Sequence, residues 1–257
     1  MHEATAIKPQ TTEALTASGA TVSPHDSIDL SEKAQRAREI AKKLAELYPD
    51  ARITLDFKTP WQCLAAVILS AQCTDERVNR VTPELFRRYP DAVSTARAKP
   101  AALERIIHSL GFYRQKAKAL IQAATAIVER FGGEVPSTME ELLTLTGVGR
   151  KTANVVLGHV FGKPAIAVDT HVLRVAYRLG LTTERDPKKT EATLAQLLPE
   201  SEWTAFSMRL ILHGRKVCHA RRPRCAACGL LTLCARQGLP PLPSQEKKRC
   251  EQTGNHR

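Results

Sequence analysis

Four cysteines fall within 17 residues near the C-terminal end of the chain: Cys218, Cys225, Cys228 and Cys234, in the spacing C-x6-C-x2-C-x5-C. Any fold of this chain has to bring four thiols around one small volume. Four thiolates can hold a tetrahedral zinc ion or a [4Fe–4S] cluster. Zinc sites usually join two C-x2-C pairs from separate knuckles. Here one such pair sits in a single loop with its outer partners at longer spacing. That favours a cluster, with a structural zinc as the alternative. Cys63 and Cys73 read as core residues and Cys250 as a tail thiol.

Upstream of this loop the sequence is helical almost throughout, and no run of alternating apolar residues supports a sheet. Residues 1–30 read as a disordered tail. Ser31 caps a first helix that Pro49 stops. Residues 61–71, WQCLAAVILSA, are apolar on every side, as in a buried central helix. From Gln115 to Phe131 the apolar positions recur at i, i+3, i+4 and i+7 until Gly132-Gly133 ends the pattern. Ser137 and Glu140 form a capping box. Further helices are expected from about 170 to 179, from Asp186-Pro187 to Pro199, and from Ser201 onward. The fold class is all-α, and the tail from 237 to 257 reads as basic and disordered.

The chain has 257 residues, with 38 Lys and Arg against 26 Asp and Glu, a formal charge of +12. A surplus of that size favours a polyanionic partner, since bound phosphates release condensed counterions. No apolar run approaches the ~20 residues that span a bilayer. The first 30 residues hold no Arg and no signal-peptide core, so no targeting segment is expected and the location is cytoplasmic.

Residues 137–160 read helix, glycine turn, helix. Gly147 and Gly149 flank Val148, and glycines let backbone approach a ligand closely. The turn presents amide N–H groups at the start of the second helix, an anion site to which Arg150 adds charge. Such a hairpin fits a sequence-independent grip on a DNA phosphate. Lys151 sits where the helix dipole disfavours a cation. Partial desolvation and the neighbouring Arg150 are expected to lower its pKa and expose the neutral amine that Schiff-base chemistry needs. A charged, phosphate-binding lysine is the alternative. Between the first two cysteines, Arg221, Arg222 and Arg224 follow Arg215 and Lys216, which reads as a second phosphate-contact surface.

Taken together, LTGVGRKTANVVL (145–157), AVDTHVLRV (167–175), ILSAQCTD (68–75) and HGRKVC with the cysteine loop closely resemble the bacterial endonuclease III family of bifunctional DNA glycosylases and apurinic/apyrimidinic lyases. The resemblance covers about Ser31 to Arg236. It implies two helical domains with a DNA cleft between them: a six-helix domain over 53–163, and a cluster domain joining 31–52 to 164–236 and binding a [4Fe–4S] cluster. It places the nucleophile at Lys151, the catalytic carboxylate at Asp169, and the residue that fills the vacated stack at Gln72. Phe112 stands at a second wedge position that is commonly Leu in the family, and Thr146 replaces the usual Pro before the hairpin.

The implied reaction is excision of oxidised pyrimidines from duplex DNA by a monomer associated with the nucleoid. The damaged nucleotide is flipped out of the helix. Lys151 attacks C1′ and displaces the base, and the resulting imine acidifies the C2′ protons so that β-elimination cuts the strand. Asp169 helps deprotonate Lys151 or stabilises the cationic sugar. One alternative is a monofunctional adenine glycosylase, against which Lys151 and the lack of a folded domain after the loop both weigh. The other is a non-catalytic iron–sulfur DNA-binding protein.

Overall fold

The computed structural model describes the backbone from residue 24 and side chains from residue 30, through Leu242. Eleven α-helices and no strand occur among the described residues. Helix α1 is Pro24–Leu47, α2 Pro60–Leu69, α3 Asp75–Arg88 and α4 Ala92–Ala96. Then follow α5 Pro100–Ile107, α6 Tyr113–Phe131, α7 Met139–Leu143 and α8 Arg150–Val160. The last three are α9 Thr170–Leu179, α10 Pro187–Leu197 and α11 Trp203–Lys216.

These helices bury two separate hydrophobic cores. The first is built on α2, where every residue from Trp61 to Leu69 is buried, with α3, α5, α6 and α8 around it. Fully burying each of its leucines contributes roughly 1.5–3 kcal/mol. The second core joins α1 to α9, α10 and α11, with Ile40, Leu44, Val172, Leu194 and Phe206 at its centre. The segment Ala165–Val168 connects the two and is buried throughout. Helix α8 packs on α2 and α7 within the first core and also reaches α11 of the second. Over 53–163, where six helices were expected, there are seven helical segments, α4 and α7 having only five residues each.

The helix boundaries follow local chemistry. Thr59, Thr74, Asp91, Thr138, Asp169 and Asp186 each accept a backbone N–H at a helix start. Gly132 ends α6 in the left-handed region at φ 62, as its lack of a Cβ allows. Three expectations need correction. Helix α1 begins at Pro24, seven residues before Ser31, because proline suits the first helical position. Thr138, not Ser137, caps α7: its Oγ1 accepts from Glu141 N and donates to Glu141 Oε2, while Ser137 is engaged by Lys163. The chain also stays packed beyond 237. Gln237 N donates to Arg178 O at 3.1 Å, and the Arg236 guanidinium reaches Pro240 O at 2.6 Å. Residues 1–23 and 243–257, Cys250 included, lie outside the described residues.

Candidate active site and DNA-facing surface

The glycine hairpin lies between α7 and α8. Gly147 has φ +81, and a Cβ there would come within 3.2 Å of Ala119 Cβ on α6 and 3.5 Å of Ile68 on α2. Glycine is therefore required twice, by conformation and by packing. Val148, expected to face DNA, is 7% exposed and plugs the first core, and its N–H bonds Leu145 O at 3.1 Å. Val148 N–H is therefore taken, while Gly149 and the first turn of α8 keep open donors. Gly149 is the N-cap, supplies no side-chain cap, and has no atom within 4 Å of the position a Cβ would take. An uncapped helix start open to solvent is an anion site in wait of its anion.

Lys151 stands in that first turn and is exposed. Arg150, expected to grip phosphate, is instead held by Glu191 of α10. Its Nε meets Oε2 at 2.7 Å and its Nη2 meets Oε1 at 2.9 Å. Lys151 thus stands exposed beside an arginine that Glu191 engages.

Asp169 opens α9. One carboxylate oxygen, Oδ1, accepts from His171 N at 2.8 Å and from Val172 N at 2.9 Å. Among the described residues Oδ2 accepts no hydrogen bond, so it is available to a partner outside the chain. His171 lies beside it, and burial holds its pKa below the ordinary value, against the pull of Asp169. His171 also lines a cavity with Thr54, Cys73, Asp75, Asn79 and Arg215. Across that cavity Arg215 of α11 pairs with Asp75 of α3 at 3.2 Å, and Asn79 donates to Thr54 O at 2.8 Å. The sequence reading missed this cavity, since its walls come from residues as far apart as 54 and 215; only the segments ILSAQCTD, VDTH and HGRKVC hinted at it.

Gln72 and Phe112 stand on two loops with the same peculiarity. Both occupy the left-handed region, at φ 52 and φ 57, and both are exposed, Phe112 by 60%. A non-glycine residue there carries strain, and glycine would relieve it. The two loops thus present an amide and an aromatic ring to solvent.

The four loop cysteines line one cavity together with Val175, Leu179, His213 and Leu231. No group of three His, Cys, Asp or Glu among the described residues is set to hold a single metal ion. The loop is tied to α9 by two arginines one turn apart. Arg174 donates to Cys218 O at 3.2 Å and to Gly214 O at 3.1 Å. Arg178 donates to His219 O and Ala220 O, both at 2.7 Å, and to Cys218 Sγ at 3.4 Å. Arg236 N points at Cys234 Sγ, and His213 Nε2 lies 3.5 Å from Cys228 Sγ. Burial pushes the Cys228 and Cys234 thiols up, and the neighbouring cysteines add to it. His213, itself buried, is brought down to about 4. Of the basic run, Arg221, Arg222 and Arg224 are exposed, whereas Arg215 is spent on Asp75 and Lys216 lies over the Tyr48 ring.

Residues 65–200 match the HhH-GPD superfamily of base excision DNA repair proteins. The chain is 56% identical to endonuclease III of Synechocystis over 206 residues, 80% of this chain and 94% of that protein. It is 46% identical to endonuclease III of Bacillus subtilis over 193 residues, 75% and 88% of the respective chains. Its fold superposes on an endonuclease III solved as a trapped covalent intermediate with DNA, with a TM-score of 0.76 and 41% identity, covering 84% of this chain and 98% of that one.

Proposed function

The chain belongs to the endonuclease III family within the HhH-GPD base excision repair proteins, and from that premise we propose that Lys151 is the nucleophile and Asp169 its carboxylate partner. The protein is a DNA-binding repair glycosylase and lyase. The observation that supports the site assignment is the contrast of two helix starts, one uncapped with an exposed amine, the other capped by a carboxylate with a spare oxygen.

The chemistry follows from those groups. A backbone phosphate settles on the open N-terminus of α8, whose amides and dipole favour an anion. Gln72 and Phe112 enter the stack where the damaged nucleotide leaves it. The DNA covers Lys151 and strips its water. Asp169, held in place by two backbone N–H groups, turns Oδ2 to the amine or to the positive charge that grows on the sugar. Lys151 attacks C1′, the base departs, and the imine allows the C2′ proton to be lost and the strand to break.

The extruded base is received by the cavity beside His171. Its walls carry a carboxylate, a guanidinium, an amide and hydroxyls, which suit a ring that has gained hydroxyl and carbonyl groups by oxidation. Oxidised pyrimidines in duplex DNA are accordingly the proposed substrates, and the protein is proposed to act as a monomer in the cytoplasm on nucleoid DNA. Arg221 and Arg222 extend the phosphate surface.

Cys218, Cys225, Cys228 and Cys234 are proposed to hold a [4Fe–4S] cluster. All four line one shared cavity, as either group would require, and the single C-x2-C pair with longer outer spacings favours the cluster over a zinc ion. The four half-buried cysteines crowd one cavity, and a cationic core there would offset the repulsion between their thiolates. Such a cluster staples the loop that Arg174 and Arg178 already hold. Equimolar iron and acid-labile sulfide in the purified protein support this assignment, and stoichiometric zinc overturns it.

The test of the activity is reductive trapping. Borohydride added to the protein with duplex DNA carrying an oxidised pyrimidine gives a covalent complex, and Lys151→Ala gives none. Normal trapping and nicking by Lys151→Ala removes Lys151 from the mechanism.

A further inference from the structure

Helix α8 carries a row that its neighbours read as a single seam. Arg150, Asn154 and Gly158 are spaced four apart, so they share one face of the helix. Each meets the half of the molecule built on the second core. Arg150 forks onto Glu191 of α10 at 2.7 and 2.9 Å. Asn154, 4% exposed, donates Nδ2–H to Ile166 O at 2.9 Å. At Gly158 a Cβ would lie 2.8 Å from the Thr204 side chain of α11, and Thr204 in turn donates to Ala165 O at 3.2 Å.

The row matters because of what each side carries. Lys151 rides on α8, one residue from Arg150. Asp169 stands at the end of the segment whose carbonyls at 165 and 166 the seam holds. The two groups that must meet at one deoxyribose thus sit on opposite sides of this seam. Of its three members, the Arg150–Glu191 pair is the one in the same helical turn as Lys151. A two-pronged guanidinium–carboxylate contact fixes orientation as well as distance, which a point contact does not. The Glu191 side chain is 15% exposed and that of Arg150 42%, so solvent reaches the pair from the arginine side and its two-pronged geometry, more than its charge, is what it contributes. A guanidinium at a helix N-terminus also opposes the dipole, and Glu191 offsets that penalty.

We propose that Arg150 and Glu191 form a positioning pair that sets Lys151 against Asp169 across the seam, and that Arg150 is not a phosphate ligand. This rests on the reading of Lys151 as nucleophile. Misplacement by about 1 Å can cost as much as 100-fold in rate, so the pair acts on the chemical step more than on binding.

The experiment uses the full-length, iron-loaded protein and two duplexes: one with a natural abasic site for single-turnover strand cleavage, one with a tetrahydrofuran analogue for affinity at several salt concentrations. Arg150→Gln, Arg150→Lys and Glu191→Gln are each expected to slow cleavage about tenfold or more, with Kd and its salt slope within twofold of the parent. Arg150→Lys keeps the charge but loses the fork, so it decides the matter even if Arg150→Gln fails to fold. The exchange Arg150→Glu with Glu191→Arg restores most of the rate, since glutamate is welcome at a helix start. The proposal is overturned if Glu191→Gln cleaves at the parental rate. It is equally overturned if Arg150→Gln weakens affinity and flattens the salt slope while Glu191→Gln tightens binding. Lys151→Ala in the same run separates the two ideas: if it cleaves normally the nucleophile is wrong, whereas if it is inert and Glu191→Gln is fast, only the pair is wrong.

Discussion

Helices α8 and α9 begin in opposite ways. The first turn of α8 is closed by Gly149, which has no side chain to offer its amides. The first turn of α9 is closed by Asp169, which accepts two of them. One helix start is left unsatisfied and the other is satisfied from within. The comparison teaches that a missing cap and a present one are both functional choices. The bare start leaves donors for an anion brought by a ligand. The capped start uses the same donors to fix a carboxylate so that its second oxygen is presented at a constant angle. Had the sequence put Asp at 149 and Gly at 169, each helix would fold as well and neither would serve.

The sharpest way to break this comparison is at Asp169. Asparagine caps a helix about as well as aspartate but carries no charge. Asp169→Asn is therefore expected to melt with the parent protein and to lose roughly 10²–10⁴-fold in single-turnover base excision. Asp169→Ala is expected to lose about 1 kcal/mol of stability as well. An Asn variant with parental activity would reduce Asp169 to a cap and nothing more.

At the other helix start the opposite change applies. Gly149→Asp has open space for its side chain and closes the first turn of α8. Stability is expected to rise by a few tenths of a kcal/mol, while affinity for duplex DNA falls about tenfold, because the carboxylate takes the place of the phosphate. Thermal melting and fluorescence titration measure the two effects. A variant that binds DNA as tightly as the parent shows that the phosphate lies elsewhere.

The smallest effect belongs to a charge surface outside both helix starts. Replacing Arg221 and Arg222 by alanine is expected to lower the slope of log Kd against log salt by about 1 to 2, since each phosphate contact contributes about 0.9. An unchanged slope takes the loop off the DNA.

Much of the fold was legible because helix boundaries are local events. The Asp186-Pro187 start, the Gly132 end and the uniformly apolar stretch at 61–69 need only neighbouring residues to be understood. Where two local signals competed one position apart, as Ser137 and Thr138 do, the pattern could not choose. The identities of Lys151, Asp169, Gln72 and Phe112 came from motif resemblance, and the structure adds what resemblance lacks: the left-handed backbone under both exposed loop residues and the two N–H groups on Asp169. What escaped was partnership over distance. Glu191 takes Arg150 across 41 residues, and Asp75 takes Arg215 across 140. A composition-based reading counts all four as free charges. Val148 shows the same limit in another form, since an apolar residue between two glycines can face the ligand or the core, and here it faces the core.

The central claim is that one particular amine becomes bonded to the sugar. Borohydride-trapped protein on abasic DNA, digested with protease and nuclease and mapped by mass spectrometry, tests it directly. The account predicts that the reduced deoxyribose adduct is found on Lys151 in the peptide containing GVGRKTANVV. An adduct confined to another lysine, or to the amino terminus, contradicts it.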